Sequence, residues 1–371
     1  MTASPSSRLS VLRAAGVSIW LDTLSRELLE SGEFSRLVKH WSVTGATSNP
    51  TIFAKAIASS DRYDKQLHDA VDAGTTNPQE LFFELGLDDI RAAAGVLRAP
   101  YDRTKGEDGF VSFECTPDLA DDAAATIAQA LELWRRLSLP NVLIKVPATL
   151  AGVEAVEELI FRGVNVNVTL LFSLERYEQI IEAYLRGLER RHEAGLRLTG
   201  LTSVASFFVS RVDTKADAVL PRDSLMRGRI AIANAHLAYA RYRERFAGQR
   251  WEHLERAGAT RQRPLWASTG TKNPEYSDLL YVEQLIASGV INTMPLDTLT
   301  AFSDHGNVQS GLDFDPAAAQ RTLATAAAEG VDLPRITTEL EREGLASFCA
   351  SYHELLDCID AKLTAPTQTR N

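Results

Sequence analysis

Cysteine is scarce in this 371-residue chain: Cys115, Cys349 and Cys358 are the only three, too few and too scattered for a disulfide framework. No CxxC or Cys/His pairing suggests a metal, and the seven histidines (40, 68, 192, 236, 253, 305 and 353) show no HxH or paired-ligand spacing. The chain also lacks any uninterrupted apolar run long enough to span a bilayer, and MTASPSSRLS at its start has no apolar signal core. Neither secretion nor a membrane contact is therefore expected, and the thiols are expected to be reduced in a cytoplasmic protein. Positive charge is in deficit, the formal net charge being −10. That argues against nucleic acid or anionic lipid as a partner, because both select a net basic surface. Anionic small molecules stay open, since a local site needs only one or two cations. Finally, GxGxxG after a strand, GxxxxGK(S/T), HExxH and GxSxG are all missing, which removes the usual support for nucleotide, zinc and hydrolase chemistry.

What is present is an ordinary globular composition, 45% hydrophobic and 24% charged, with β-rich runs alternating with helix-period segments. Eight runs read as strands: 17–22, 41–47, 110–116, 141–147, 163–170, 201–208, 264–269 and 290–295. After the third, Thr116 is suited to cap and Pro117 to open a helix, with Asp118, Asp121 and Asp122 at its positive end. Further helices fit 173–194, 225–246, 275–287 and 335–363. Eight strands with helical crossovers predict an α/β fold, a (β/α)8 TIM barrel. Residues 48–109 and 209–263 read as helical insertions after the second and sixth strands, and 335–363 as a C-terminal helix over the barrel. The whole of 1–371 reads as one barrel domain. The arginine-rich stretches 186–197 and 241–250 are interrupted by glutamates and read as solvated helix faces.

Catalytic groups of such barrels come from the C-terminal ends of strands, so polar residues inside apolar strands are the informative ones. Lys145 stands in NVLIKVPAT, and only 8 of the 39 basic residues are lysine. Burial disfavours the charged ammonium and can leave a lysine neutral enough to attack a carbonyl as a Schiff-base nucleophile. The bland alternative is a structural ion pair. Glu114 and Asp22 are the strand-borne carboxylates able to pair with it, and two acids near an imine can divide proton transfer between them. Alternation in the third strand sets Ser112 and Glu114 opposite Val111, Phe113 and Cys115, which turns Glu114 inward. Asn49, Asn167 and Thr169 can hydrogen-bond hydroxyls or a water, and Ser206 lies within the sixth strand. Arg211, Ser268 and Lys272 follow the sixth and seventh strands, where barrels often hold phosphate.

In TSNPTIF (47–53), LIKVPAT (143–149), VNVTLLFS (166–173), SFFVSR (206–211) and INTMP (291–295), the sequence resembles the transaldolases, Schiff-base enzymes of the pentose phosphate pathway. The stretches span nearly the whole chain in the family's order, and the resemblance is closest to the long bacterial members with helical insertions. It implies that Lys145 forms the Schiff base, Glu114 relays protons through a water that Thr169 positions, and Asp22 handles the hydroxyl proton during carbon–carbon cleavage. It further implies that Asn49 and Asn167 bind the dihydroxyacetone portion, that Ser206 and Phe208 line the pocket, and that Arg211 with Ser268 meets phosphate. Gly270 stands where many relatives place an arginine, so Lys272 is expected to take the phosphate role. The resemblance implies sugar phosphate substrates and no metal or organic cofactor, and it is compatible with a homodimer. A Schiff-base aldolase releasing free dihydroxyacetone, or a non-catalytic sugar-phosphate-binding barrel, stays open beside it.

Overall fold

The computed structural model describes residues 5–48, 50–308 and 314–364. Eight strands form the centre: β1 (Ser18–Leu21), β2 (Val43–Ala46), β3 (Phe110–Glu114), β4 (Val142–Pro147), β5 (Val166–Leu171), β6 (Ser203–Phe208), β7 (Arg263–Ala267) and β8 (Ile291–Met294). Each pairs parallel with the next, and β8 pairs parallel with β1, closing a barrel with helices between the strands. Every predicted strand is found, with ends moved by up to three residues: most are trimmed, while β5 runs on to Leu171 and β7 begins one residue earlier, at Arg263. The strands are buried on both faces, as expected for a parallel barrel wrapped in helices, and read as near-continuous apolar runs.

Several strand-to-helix junctions are fixed by a capping side chain. Thr149 after β4 accepts from Gly152 N, and Ser173 after β5 accepts from Arg176 N, satisfying helix donors that would otherwise be unpaired. Position 152 admits only glycine, because a Cβ there would stand 1.9 Å from the Pro147 carbonyl oxygen. The junction after β3 differs from the expectation. Pro117–Leu119 forms a 3-10 turn, and the helix Ala123–Leu137 is capped by Asp122, which accepts from Ala125 N. Thr116 precedes that turn without making a side-chain cap bond, and its hydroxyl accepts from Gln129 Nε2 at 2.8 Å.

Of the other predicted helices, 173–194 and 335–363 correspond to Leu174–Glu193 and Leu333–Thr364. The helix expected at 225–246 begins only at Ile230, after a turn in which Gly228 adopts φ +70°. The one expected at 275–287 shrinks to Leu280–Gln284. Asn273 Oδ1 accepts from Glu275 N and Ser277 Oγ from Leu279 N, so local side-chain bonds compete with the helix there. Insertion helices appear as expected, including the long Pro78–Arg103 after β2 and three helices between β6 and β7.

The outer face of β3 shows how packing orients the site. Phe113 lies against Phe53, Phe82 and Phe83, with ring centres 5.8–6.2 Å apart. A one-residue slip of β3 would push Glu114 among those rings and expose an apolar side chain to the barrel interior. The expected alternation holds: Ser112 and Glu114 face inward. The arginine-rich faces are paired as expected, for example Arg250 with Glu182 and Glu189, and Arg190 with Glu157 and Glu158.

Candidate active site

Adjacent strands bring Lys145 level with Glu114 on one side and Asn167 on the other. Lys145 is 5% exposed. Its Nζ donates to the Ser48 carbonyl at 3.1 Å and lies 3.6 Å from Glu114 Oε2, an ion-pair distance longer than a hydrogen bond. Glu114 Oε2 has no hydrogen-bond partner. Burial pushes the Glu114 carboxyl up to about 7, against the pull of Lys145 and with a smaller push from Asp22. Asp22 stands one residue past β1, partly buried, and its Oδ1 accepts from Thr47 Oγ1 at 2.9 Å. Burial raises its pKa also, opposed by Lys145, by the Thr47 bond and by Arg211. Two carboxyls flanking one amine are thereby held in unlike surroundings, the arrangement that separates an acid from a base.

Asn167 is fully buried beneath these groups. Its Nδ2 donates to Ser112 Oγ at 2.9 Å, and its Oδ1 accepts from Ser206 Oγ at 2.7 Å, so the amide's flip is set by its neighbours. Above it, a cavity of about 370 Å³ opens at the C-terminal ends of the strands, lined in part by Asp22, Lys145, Thr169, Ser206 and Phe208. Thr169 is buried, and its hydroxyl has no hydrogen-bond partner. Next to it β5 is irregular: the register with β6 shifts between Val168 and Leu171, and Leu170 takes φ +59°, an uncommon backbone for a branched residue.

Arg211, Ser268 and Lys272 line the outer part of the same cavity, as does Gly270. Ser268 is one residue past β7 and holds φ +56°. Its carbonyl accepts from Ser210 N and its hydroxyl bonds Ser210 Oγ at 3.0 Å, which holds a left-handed serine in place. The Arg211 guanidinium lies 5.3 Å from the centre of the Phe208 ring, and its Nε has no hydrogen-bond partner. Lys272 is exposed as a residue, but its ammonium end is partly desolvated by the cavity wall; that and Arg211 lower its pKa. Both cations face the cavity ready for an anion.

Thus Lys145, Glu114, Asp22, Thr169, Asn167, Ser206, Phe208, Arg211, Ser268 and Lys272 gather at one end of the barrel. Asn49 lies outside the described residues. Sequence reasoning missed Thr47, Thr293 and Phe348, which also line the cavity. Thr47 and Thr293 share a 2.8 Å hydroxyl contact and lie inside TSNPTIF and INTMP, so strand-end position could have found them. Phe348 carries no such signal, being on the C-terminal helix. A larger cavity of about 600 Å³ lies outside the barrel, lined by residues such as Arg227, His236 and Gln284, and has no lysine–carboxylate pair. Among the described residues, no group of three or more His, Cys, Asp or Glu is placed to hold a metal ion. Among them too, no helix is long and apolar enough to cross a membrane.

A buried amine beside a carboxyl that titrates near neutrality, under a cavity edged with cations, marks the class of (β/α)8 barrels built for carbonyl chemistry on anionic substrates. The profile of the family described as Transaldolase/Fructose-6-phosphate aldolase matches residues 19–359, and the chain belongs to that family. It is 47% identical to the transaldolase of Mycolicibacterium smegmatis over 363 residues, which covers 96% of this chain and 98% of that one. With transaldolase 1 of Streptomyces avermitilis it shares 47% identity over 361 residues, 96% and 95% of the two chains. The transaldolase of Thermobifida fusca is 46% identical over 369 residues, 97% of this chain and all of its own.

Proposed function

We infer that this chain is a transaldolase, moving a dihydroxyacetone unit from a ketose phosphate, sedoheptulose 7-phosphate or fructose 6-phosphate, to glyceraldehyde 3-phosphate or erythrose 4-phosphate. The observation that carries this reading is the buried Lys145–Glu114 pair at adjacent strand ends, 3.6 Å apart. The kinship to transaldolases supports the same assignment.

The reaction divides among residues as follows. Lys145 Nζ attacks C2 of the ketose, and the resulting carbinolamine loses water to give a protonated imine. Glu114, with its pKa near 7, gives and takes the protons of that step through a water bonded to the free Thr169 hydroxyl. Asp22 removes the proton of the C4 hydroxyl as the C3–C4 bond breaks, and the imine accepts the electron pair. The aldose phosphate departs, leaving a three-carbon enamine on Lys145. A second aldose phosphate then accepts that carbon, and hydrolysis of the new imine returns the free lysine. Asn49 and Asn167 hold the dihydroxyacetone hydroxyls, Ser206 and Phe208 shape the wall, and Arg211, Ser268 and Lys272 bind the phosphate.

Borohydride reduction in the presence of fructose 6-phosphate tests the covalent step, followed by peptide mass mapping. The expected product is a three-carbon adduct on Lys145. Binding of the sugar phosphate without any adduct would sink the Schiff-base reading in favour of a non-catalytic barrel.

A further inference from the structure

One wall of the cavity is not supplied by a barrel strand or a strand-end loop. Among the described residues, Phe348 is the sole contribution of the C-terminal helix Leu333–Thr364 to the cavity lining. The centre of its ring stands 5.8 Å from Lys145 Nζ. The polar neighbours of that nitrogen are the Ser48 carbonyl and the Glu114 carboxylate. Phe348 therefore sets an apolar surface beside the nitrogen that carries the intermediate, and it is itself only 5% exposed.

The depth of that ring is fixed one turn earlier. Gly344 shares the helix face with Phe348, four residues on. A Cβ at Gly344 would come within 2.9 Å of Leu170 Cδ2, so the helix rests directly on the residue whose left-handed backbone marks the irregularity of β5. Polar ties hold the helix across the barrel mouth: Lys215 with Glu339 and Glu343, Thr51 with Ser351, and His353 with Asp118. These contacts come from segments after β2, β3 and β6. The aromatic wall is placed by close packing and by ties on several sides.

We propose that Phe348 is a specificity-determining residue: it keeps water from the three-carbon intermediate on Lys145, so that the intermediate passes to an aldose and is not released. This rests on the Schiff-base reading above. Release requires the enamine carbon to gain a proton, water to add to C2, and the C2–N bond to break, giving free dihydroxyacetone and the neutral amine. A phenyl ring offers the attacking water no conventional hydrogen-bonding partner, whereas a bulk-solvated site would. The side of the cavity edged by Arg211 and Lys272 stays polar, which suits entry of a phosphorylated acceptor.

The test uses the full-length protein and the variants Phe348→Ala and Phe348→Leu, each given fructose 6-phosphate with and without erythrose 4-phosphate. Free dihydroxyacetone and sedoheptulose 7-phosphate are both measured, and their ratio is independent of the fraction of protein correctly folded. Phe348→Ala is expected to raise release relative to transfer by about tenfold or more, a change of about 1.4 kcal/mol in relative barrier. Phe348→Leu, which keeps an apolar side chain there, is expected to stay within about threefold of the unmodified ratio. If release and transfer fall together in Phe348→Ala with their ratio unchanged, the ring only supports the lysine and the proposal is overturned. Failure of the underlying reading is distinguishable, because the unmodified protein would then form no borohydride-trapped adduct at all.

Discussion

The two ends of the barrel treat their polar side chains differently. At the N-terminal end, Arg263 donates to the carbonyls of Gly289, Glu107 and Val290 and to the Ser18 hydroxyl. Asp108 there accepts from Trp20 Nε1 at 2.8 Å and from Gly109 N. At the C-terminal end, Glu114 Oε2, Thr169 Oγ1 and Arg211 Nε have no hydrogen-bond partner. The difference runs along single strands: in β1, Ser18 serves the closed end, while Asp22, just past its last residue, borders the cavity. Gln262 Oε1, just before β7, is an exception at the closed end; around the cavity, three unpartnered polar atoms from three different strand ends leave bonding capacity for a ligand.

Substitutions should separate the two ends. Lys145→Ala is expected to lower transfer by about 10⁴-fold or more while leaving the fold intact, since the nucleophile has no substitute. Steady-state transfer and thermal unfolding, measured together, check this, and retained activity would remove Lys145 from the mechanism. Glu114→Gln is expected to cost about 10²–10³-fold in kcat. The same change should stabilise the protein at neutral pH and above. A carboxyl raised from its ordinary 4.5 to about 7 by burial binds its proton more tightly in the folded state. The stability it contributes is thus present at low pH and lost as pH rises from about 4.5 to about 7, by up to about 3 kcal/mol. Urea unfolding across that range should show the decline in the unmodified protein and a flatter profile in Glu114→Gln; parallel profiles would contradict it.

At the closed end, Arg263→Ala is expected to cost about 1–2 kcal/mol of stability through the lost bonds to Gly289, Val290 and Ser18, with kcat nearly unchanged well below Tm. A variant that stayed as stable but lost activity would break the contrast between the ends. The smallest effect is expected from Lys272→Ala: a rise in KM of about tenfold or less for phosphorylated substrates and little for unphosphorylated ones, because Arg211 shares the anion. An equal rise for both would take Lys272 out of the phosphate site.

Much of this architecture was legible in the chain. The strands could be read because a parallel barrel buries both faces, giving short Val- and Ile-rich runs, and a lysine or glutamate inside such a run stands out. Helix starts were harder. Thr116 and Asp122 are both good caps, and the structure uses Asp122, while the Thr116 hydroxyl accepts from Gln129 on that same helix. The helix expected at 275–287 failed because Asn273 and Ser277 offer local bonds that apolar periodicity does not register. Phe348 was out of reach for a different reason: its place beside Lys145 depends on where a distant helix docks, and nothing in the neighbouring sequence encodes that contact.

That docking has a consequence for how the protein is made. Every strand of the barrel has been synthesised once translation passes Met294, so Lys145 and Glu114 can already meet. The segment carrying Phe348 leaves the ribosome later, and its anchors, Lys215 near the middle of the chain and Asp64 far earlier, wait for Glu339, Glu343 and Lys362. Until it arrives, the Lys145 amine lacks the aromatic neighbour that the Phe348 ring supplies. On the proposed reading, the finished enzyme and its unfinished precursor would share a nucleophile but differ in what surrounds it, and selectivity would be the last property the growing chain acquires.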